Sequence, residues 1–133
     1  MALENWVCGC CGAATGCRRI WAREPPSCLA IHLIRFACKD GAWARDNRGV
    51  EIPWDGLSFR SRLPGEPWSE LRFGLRAVAA HPGLMGNGHY WACVLWGNTG
   101  WVAGDSRVAV LDGAKAEALP SEAYAVFLGR EGV

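Results

Sequence analysis

The fold is decided by residues 88–105, which read GHYWACVLWGNTGWVAGD. Two apolar runs, 90–96 and 101–103, flank the segment 97–100, and its Gly and Asn are residues that tight hairpin turns favour. Both runs are rich in the aromatic and β-branched residues that are typical of strands. The stretch therefore predicts an antiparallel hairpin with a histidine near its start and a carboxylate at its end.

The rest of the chain carries further strand patterns and little helix. Residues 28–36 form a nearly continuous apolar run, which predicts a buried strand. Helix-favouring composition is confined to 114–119, and 54–70 is rich in Gly and Pro, which predicts an irregular loop. Further strands are predicted at 50–52, 71–81, 108–111 and 123–128. The expected fold class is α+β, mainly antiparallel β.

Alternation along 71–81 makes a specific prediction about the two faces of that strand. Phe73, Leu75, Ala77 and Ala79 recur at every second position, so they are expected to share one face. Arginines fall mostly at the positions between them. The strand is expected to end at the Pro-Gly pair that follows.

Composition limits the classes of partner. The chain has 133 residues, enough for one domain, with 14 Lys and Arg against 13 Asp and Glu. The basic residues are scattered, so neither nucleic acid nor an anionic membrane is expected as a partner. The sequence contains no apolar stretch long enough to span a bilayer, and its start resembles no signal peptide. We expect a cytoplasmic or nuclear location.

Residues 1–26 differ from the remainder, 27–133. They are rich in Cys, Gly and Arg and show no sustained period, which predicts a short cysteine-bearing ribbon or arm. The chain has seven cysteines, and in a reducing compartment these are metal ligands, buried small hydrophobes or nucleophiles rather than disulfides. Eight tryptophans either thicken the small core or line a groove for a partner.

His89 and Asp105 are the candidate catalytic pair. A carboxylate beside an imidazole fixes its tautomer and stabilises its protonated form. If Asn98 and Thr99 formed an ideal two-residue turn, however, the two side chains would point to opposite faces of the hairpin. We therefore expect either a loop with an odd number of residues or a bulge at Gly104, and a separation below about 5 Å.

Five motifs occur in an order and spacing that resemble a known family. They are LAIHLIRF at 29–36, AVAAHPG at 77–83, GHY at 88–90, WVAGD at 101–105 and AYAVF at 123–127. Together they resemble the C-terminal half of a ubiquitin-specific protease domain, over about Cys8 to Arg130. The resemblance implies part of a papain-like cysteine protease fold, its palm and fingers.

The resemblance also implies roles for individual residues. His89 would be the general base and Asp105 the acid that orients it, in thiol-dependent hydrolysis of ubiquitin isopeptide bonds. Gly88, Tyr90 and Ser106 would belong to the substrate-binding set, with Gly88 and Tyr90 beside the channel for the Gly-Gly tail of ubiquitin. The family usually has an aromatic residue where Gly104 stands and a basic residue where Ile34 stands.

The spacing of Cys8 and Cys11 resembles the second half of a zinc ribbon. A closed structural zinc site needs four ligands, and only these two form a recognisable pair. The sequence is therefore compatible with a structural zinc ion and with a set of free thiols. No cofactor is expected for the chemistry itself. Cys38 and Cys93 are expected to be small buried hydrophobes, and His32 and His81 to be hydrogen-bonded core residues.

The nucleophile of the family is missing. It would lie in a Gly-Asn-Thr-Cys type motif upstream of His89, but no such motif is present, and segment 97–100 has glycine in place of the cysteine. Cys93 lies about 13 Å along the strand from His89, too far to share a proton. The chain alone is thus expected to be inactive. It would be a non-catalytic ubiquitin-binding or scaffold module, or a fragment that completes a site with another chain. The expected partner is ubiquitin or a ubiquitinated protein.

Overall fold

A computed structural model describes residues 7–16, 25–62 and 65–132, except for the side chain of Lys39. The described part is built from antiparallel strands and a single helix, which confirms the expected fold class. The first strands are β1 (Cys28–His32), β2 (Phe36–Lys39), β3 (Ala42–Arg45), β4 (Leu57–Ser61), β5 (Ser69–Ala80), β6 (Gly83–Leu84) and β7 (Asn87–Gly88). They are followed by β8 (Trp91–Trp96), β9 (Thr99–Gly104), β10 (Arg107–Val110), α1 (Gly113–Glu122) and β11 (Ala123–Arg130).

One sheet organises the domain, with the strand order β1-β11-β5-β8-β9-β10 and β4 paired to the first half of β5. The expected hairpin is β8–β9, and its two-residue turn consists of Gly97 and Asn98, so that Trp96 pairs with Thr99. Gly97 has a φ of 59°, a left-handed conformation that glycine adopts without strain. Strands β2–β3 and β6–β7 form two small separate hairpins.

A bulge in β5 changes which of its residues face the core. Leu75 pairs with Leu128 and Ala77 with Phe127, so Arg76 is an extra residue without a partner. Beyond the bulge the buried side chain is Val78, whereas Ala77 turns to the opposite face. The expectation that Leu75 and Ala77 share a face is therefore wrong, since it assumed uninterrupted alternation.

Three other sequence predictions need correction. The apolar run 28–36 is divided between β1 and β2, and β1 is a half-exposed edge strand rather than a buried one. Residues 50–52 form no strand, because the Val50 N–H donates to the carbonyl of Pro120 rather than to a strand. The predicted loop 54–70 contains β4, which satisfies its backbone groups against β5.

The helix α1 covers the core face of the sheet and inserts the fully buried Leu119. It begins at the Asp112 cap, whose carboxylate accepts from the Lys115 N–H at 2.8 Å. Within the described ranges, no helix has the length and apolarity needed to span a bilayer.

The C-terminal end of α1 is held by the guanidinium of Arg35, which is only 4% exposed. It donates to the carbonyls of Ala123 and Pro120, each at 2.9 Å, and to those of Asp46 and Arg48. The last carbonyls of a helix lack partners within the helix, and a cation there also meets the negative end of the helix dipole. Arg35 therefore fastens the helix, the chain after β3 and the start of β11 together.

Candidate active site

His89 and Asp105 lie together at one end of the β8–β9 hairpin. The His89 Nε2 and Asp105 Oδ2 atoms are 3.5 Å apart, and both side chains are largely exposed. This separation is within the expected 5 Å, although it is longer than a standard N–H···O hydrogen bond. Catalytic contacts of this kind often tighten only when the remaining reactants bind.

The pair meets by a different route from the one that the sequence suggested. The loop of β8–β9 has an even number of residues, and the register is regular from Ala92–Ala103 to Trp96–Thr99. Neither an odd loop nor a bulge at Gly104 is present. Instead, His89 precedes the start of β8, and Asp105 is the first residue of the turn between β9 and β10, with a left-handed φ of 49°. This turn aims the carboxylate at His89.

Trp91 and Gly104 lie beneath the pair. A Cβ at Gly104 would come within 3.6 Å of Trp91 Cβ and 3.7 Å of His89 Nε2, which is ordinary van der Waals contact. Trp91 is 4% exposed, its Nε1 donates to Glu122 Oε2 at 2.8 Å, and Lys115 Nζ lies 4.5 Å from its ring centroid. Sequence reasoning missed Trp91 and Glu122, although an aromatic residue directly after GHY was a signal for the first.

An aromatic cavity of about 340 Å³ is lined by the residues on either side of His89 in the sequence, Gly88 and Tyr90, but not by His89 or Asp105. The His81 and Tyr90 rings are tilted by 45° with centroids 4.4 Å apart, and the centroid of Tyr124 lies 5.8 Å from that of Tyr90. The lining residues are Phe36, His81, Met85, Gly86, Asn87, Gly88, Tyr90 and Tyr124. The cavity therefore joins strands β2, β7 and β11 to the segment that leads into His89, and it contains Gly88 and Tyr90 of the expected substrate-binding set.

Close packing leaves no room for a side chain at position 88, so this position requires glycine. A Cβ there would overlap the imidazole of His81 and would lie 2.9 Å from the Pro82 carbonyl oxygen. The backbone N–H of His89 donates to that same oxygen at 3.4 Å. Close packing of the Gly88 backbone on His81 therefore fixes the path of the chain that leads into His89. Ser106, the third expected substrate-binding residue, is the exposed second residue of the β9–β10 turn and is not part of the cavity lining.

The other two histidines differ from the expectation. His81 is 6% exposed, as a core residue should be, but its Nδ1 has no hydrogen-bond partner in the described part of the chain. The aromatic rings that surround His81 pack against its imidazole but form no hydrogen bond with Nδ1. His32 is exposed on the edge strand β1 and contacts the Tyr124 ring edge-on, so it is not a core residue.

Cys93 is unsuited to act as a nucleophile with His89. Cys93 is 1% exposed in the sheet, and burial raises the pKa of its thiol, which opposes thiolate formation. Its burial agrees with the sequence prediction, whereas Cys38 is exposed, contrary to it.

Cys8 and Cys11 lie in a short turn in which the Gly12 N–H donates to the Cys8 carbonyl. Hydrogen bonds from the backbone N–H groups of Cys10 and Cys11 lower the pKa of the Cys8 thiol. In residues 7–16, 25–62 and 65–132, no group of three or more potential metal ligands occurs, so these residues do not fit a closed four-ligand zinc site. The metal-binding role of Cys8 and Cys11 stays a prediction.

Comparison with known proteins assigns the family. Residues 5–127 match the model of the ubiquitin carboxyl-terminal hydrolase family. The chain belongs to this family. It is 30% identical over 102 residues to the mouse (Mus musculus) Ubl carboxyl-terminal hydrolase 18, which covers 71% of the chain and 27% of that relative. It is also 30% identical over 130 residues to ubiquitin carboxyl-terminal hydrolase 8 of Arabidopsis thaliana, covering 96% of the chain and 15% of that relative.

Solved structures confirm the fold. The whole chain superposes on 31% of a chain in the SAGA Ubp8/Sgf11/Sus1/Sgf73 DUB module bound to ubiquitin aldehyde, with a TM-score of 0.74 and 22% identity. The yeast SAGA DUB module with a mutant Sgf73 gives a TM-score of 0.77 at 24% identity, over 30% of that chain. The chain thus spans less than a third of the length of each of these relatives.

Proposed function

We propose that this chain is the part of a ubiquitin-specific protease domain that supplies the general base His89, its orienting acid Asp105 and one wall of the groove for the C-terminal tail of ubiquitin. The observation that carries the proposal is the 3.5 Å contact between His89 Nε2 and Asp105 Oδ2 beside a preformed cavity. Membership of the ubiquitin carboxyl-terminal hydrolase family supports hydrolysis of the bond that follows the terminal glycine of ubiquitin as the proposed reaction.

In the proposed mechanism the two nitrogens of His89 have different tasks. Nε2, which faces Asp105, would carry a proton, and Nδ1 would be the nitrogen that accepts a proton from a thiol. The thiolate would attack the carbonyl carbon of the scissile amide, and His89 would then return the proton to the leaving amine. Asp105 stabilises the imidazolium between these two steps and does not itself become protonated.

The cavity fits the tail of ubiquitin because it combines a glycine-lined rim with an aromatic wall. Gly86 presents backbone without a side chain, and no atom of the described residues occupies the space that a Cβ there would take, so an extended Gly-Gly segment can approach closely. Tyr90 and Tyr124 offer apolar ring surface to the residues that precede those glycines.

A large apolar surface supports the view that the nucleophile comes from polypeptide outside the described residues. We call it the open face: it is the side of the sheet opposite α1. One row across it runs through Phe127, Ala77, Val94, Trp101 and Val110, which are successive cross-strand partners. The next row runs through His32, Ala125, Ala79, Ala92, Ala103 and Val108.

The open face has the composition of an interface rather than of a solvated surface. Trp101 is 37% exposed, Val110 57% and Val108 69%, whereas the four neighbouring alanines form a shallow trough between larger side chains. Contiguous apolar patches of this kind are rare on monomers and mark contacts with other polypeptide. The end of the trough at Ala92 and Ala103 lies within three residues of His89 and Asp105 along β8 and β9, and we propose that the segment that packs there carries the reactive cysteine, in the same or in another chain.

A titration with ubiquitin tests the proposed groove. Residues 86–91 of the isotope-labelled chain should shift in NMR spectra on addition of ubiquitin, and ubiquitin that lacks its last two glycines should cause much smaller shifts. A ubiquitin probe with a thiol-reactive C-terminus should label no cysteine of the isolated chain. Equal shifts with the truncated ubiquitin would rule out recognition through the tail.

The same cavity also supports a second function, in which no cysteine is supplied to His89. The chain would then be a non-catalytic ubiquitin-binding module, in which His89 and Asp105 position the tail but transfer no proton. It predicts the same NMR shifts. The two functions separate only when the chain is joined to the upstream half of a family member, where only the first predicts turnover.

A further inference from the structure

We propose that a second groove, between residues 50–57 and the end of α1, binds an extended, proline-containing basic segment of another protein. Its volume is about 530 Å³, within the range of ligand-binding clefts. The lining residues are Val50, Glu51, Ile52, Pro53, Trp54, Asp55, Gly56, Leu57 and Pro120. None of them lines the cavity beside His89, so the two sites are separate.

The groove is rigid because three contacts fix its walls. The Val50 N–H donates to the Pro120 carbonyl at 3.0 Å, and the side chain of Ile52 is 5% exposed in the core. The Gly56 N–H donates to the Pro53 carbonyl at 2.9 Å, which closes a turn. Gly56 has a φ of 84°, and a Cβ there would overlap the Phe73 carbonyl oxygen. The surface is therefore preformed, which lowers the entropic cost of binding.

The apolar part of the groove consists of flat rings. Trp54 is 44% exposed, and in the sequence it stands between Pro53 and Asp55. Pro120 forms the opposite wall. Grooves lined by exposed aromatic rings recognise segments in the polyproline II conformation. Such a segment holds its proline rings at a fixed spacing before it binds, so it loses little conformational entropy on binding.

The charge of the groove selects a basic segment. Glu51 and Asp55 are both exposed in its lining, and the lining contains no lysine or arginine. Among the ion pairs of the described residues, neither carboxylate takes part. Two unpaired carboxylates beside an exposed indole match a segment in which arginine recurs within one turn of a polyproline II helix, about three residues.

The direct test is fluorescence anisotropy with a labelled peptide of repeated Pro-Pro-Arg. The chain should bind it with an affinity that falls as salt rises, and Trp54→Ala should weaken binding about tenfold or more, as loss of an aromatic anchor does. The double change Glu51→Gln and Asp55→Asn should weaken binding several-fold and flatten the salt dependence. A peptide with glutamate in place of arginine should bind far more weakly.

Matched controls keep the result interpretable. Trp43→Ala removes an indole on the β2–β3 hairpin that is more exposed than Trp54, and Glu117→Gln removes an exposed carboxylate on α1. Both changes should leave binding unchanged. His89→Ala should also have no effect, which separates this proposal from the proposed function. Absence of binding by the folded chain, or equal losses in Trp43→Ala and Trp54→Ala, would overturn the proposal.

Discussion

At the scale of single residues, the site depends on where two side chains leave the regular sheet. His89 lies just before β8, and Asp105 adopts a left-handed φ just after β9. Regular pairing would place Ser106, not Asp105, opposite His89. The left-handed conformation costs little in aspartate compared with β-branched residues, because its short side chain tolerates it. The proximity of base and acid is thus built into a turn.

Gly104 gives the first prediction. Its φ is not left-handed, and an added Cβ meets Trp91 and His89 at ordinary contact distances. Gly104→Ala should therefore stabilise the chain by about 0.4–1 kcal/mol, since alanine has less freedom in the unfolded state. The measurement is urea unfolding. Gly56→Ala is the control, and it should destabilise the chain because its backbone is left-handed and its Cβ would overlap Phe73. Destabilisation by Gly104→Ala would show that the space beneath His89 and Asp105 is too small for a methyl group.

The cysteines give a second prediction, on pH dependence. Backbone hydrogen bonds lower the pKa of Cys8, whereas burial raises the pKa of Cys93. Thiolate is the reactive form, so Cys8 should be alkylated by iodoacetamide at a lower pH and faster than Cys93 in the folded chain. Mass spectrometry of digests taken at several pH values measures both. If zinc protected Cys8 and Cys11 from alkylation, the proposed half zinc ribbon would gain support, and unchanged rates would favour free thiols.

At the scale of elements, one arginine joins the junction of α1 and β11 to the chain after β3, which is distant from it in the sequence. Arg35 ends the apolar run 28–36 and turns inward between β1 and β2, where it reaches carbonyls of α1, β11 and the chain after β3. The next residue, Phe36, lines the aromatic cavity. The wall of the proposed tail groove therefore depends on a buried charge that binds no substrate.

Arg35→Lys should destabilise the chain by about 2–4 kcal/mol. Desolvation lowers the pKa of Arg35, yet the guanidinium compensates by donating to four carbonyls, and an ammonium group cannot reach all of them. Denaturant unfolding measures the effect. Arg48→Lys is the control, because its exposed pair with Asp46 should contribute less than about 1 kcal/mol. A loss below about 1 kcal/mol for Arg35→Lys would contradict the fastening role.

The amount of structure that could be predicted differs between elements. The β8–β9 hairpin, β10, β11 and the helix follow from local patterns, and the structure contains each of them within a few residues of its predicted bounds. The bulge at Arg76 and the division of 28–36 could not be predicted, because both depend on partners distant in the sequence. The contact of His89 with Asp105 was predicted, but the left-handed turn at Asp105 that produces it was not.

At the scale of the whole molecule, the sheet has one covered face and one open face. The covered face holds Val78, Cys93 and Leu128 beneath α1, whereas the open face exposes Trp101, Val108 and other large apolar side chains. A sheet with this asymmetry offers an apolar surface on which further polypeptide can pack. The chain spans less than a third of its relatives, which contain additional chain that could supply it.

The open face predicts how the isolated chain behaves. It should bind the dye 8-anilinonaphthalene-1-sulfonate and self-associate as its concentration rises, since exposed apolar patches promote both. The pair of changes Trp101→Lys and Val108→Lys should reduce dye fluorescence and self-association, measured by light scattering, at little cost in folding. Trp43→Lys, outside the open face, is the control. Equal effects of the control would show that the face is not the contact surface.

The most direct test of the central claim is a chimera in which this chain replaces the matched segment of the Arabidopsis ubiquitin carboxyl-terminal hydrolase 8, which retains its own upstream portion. Release of a fluorophore from the C-terminus of ubiquitin measures turnover. We predict turnover that His89→Asn lowers by about 10²–10⁴-fold and Asp105→Asn lowers less. A folded chimera that binds ubiquitin without turnover, or turnover that His89→Asn leaves unchanged, would contradict the assignment of His89 and Asp105 as base and acid.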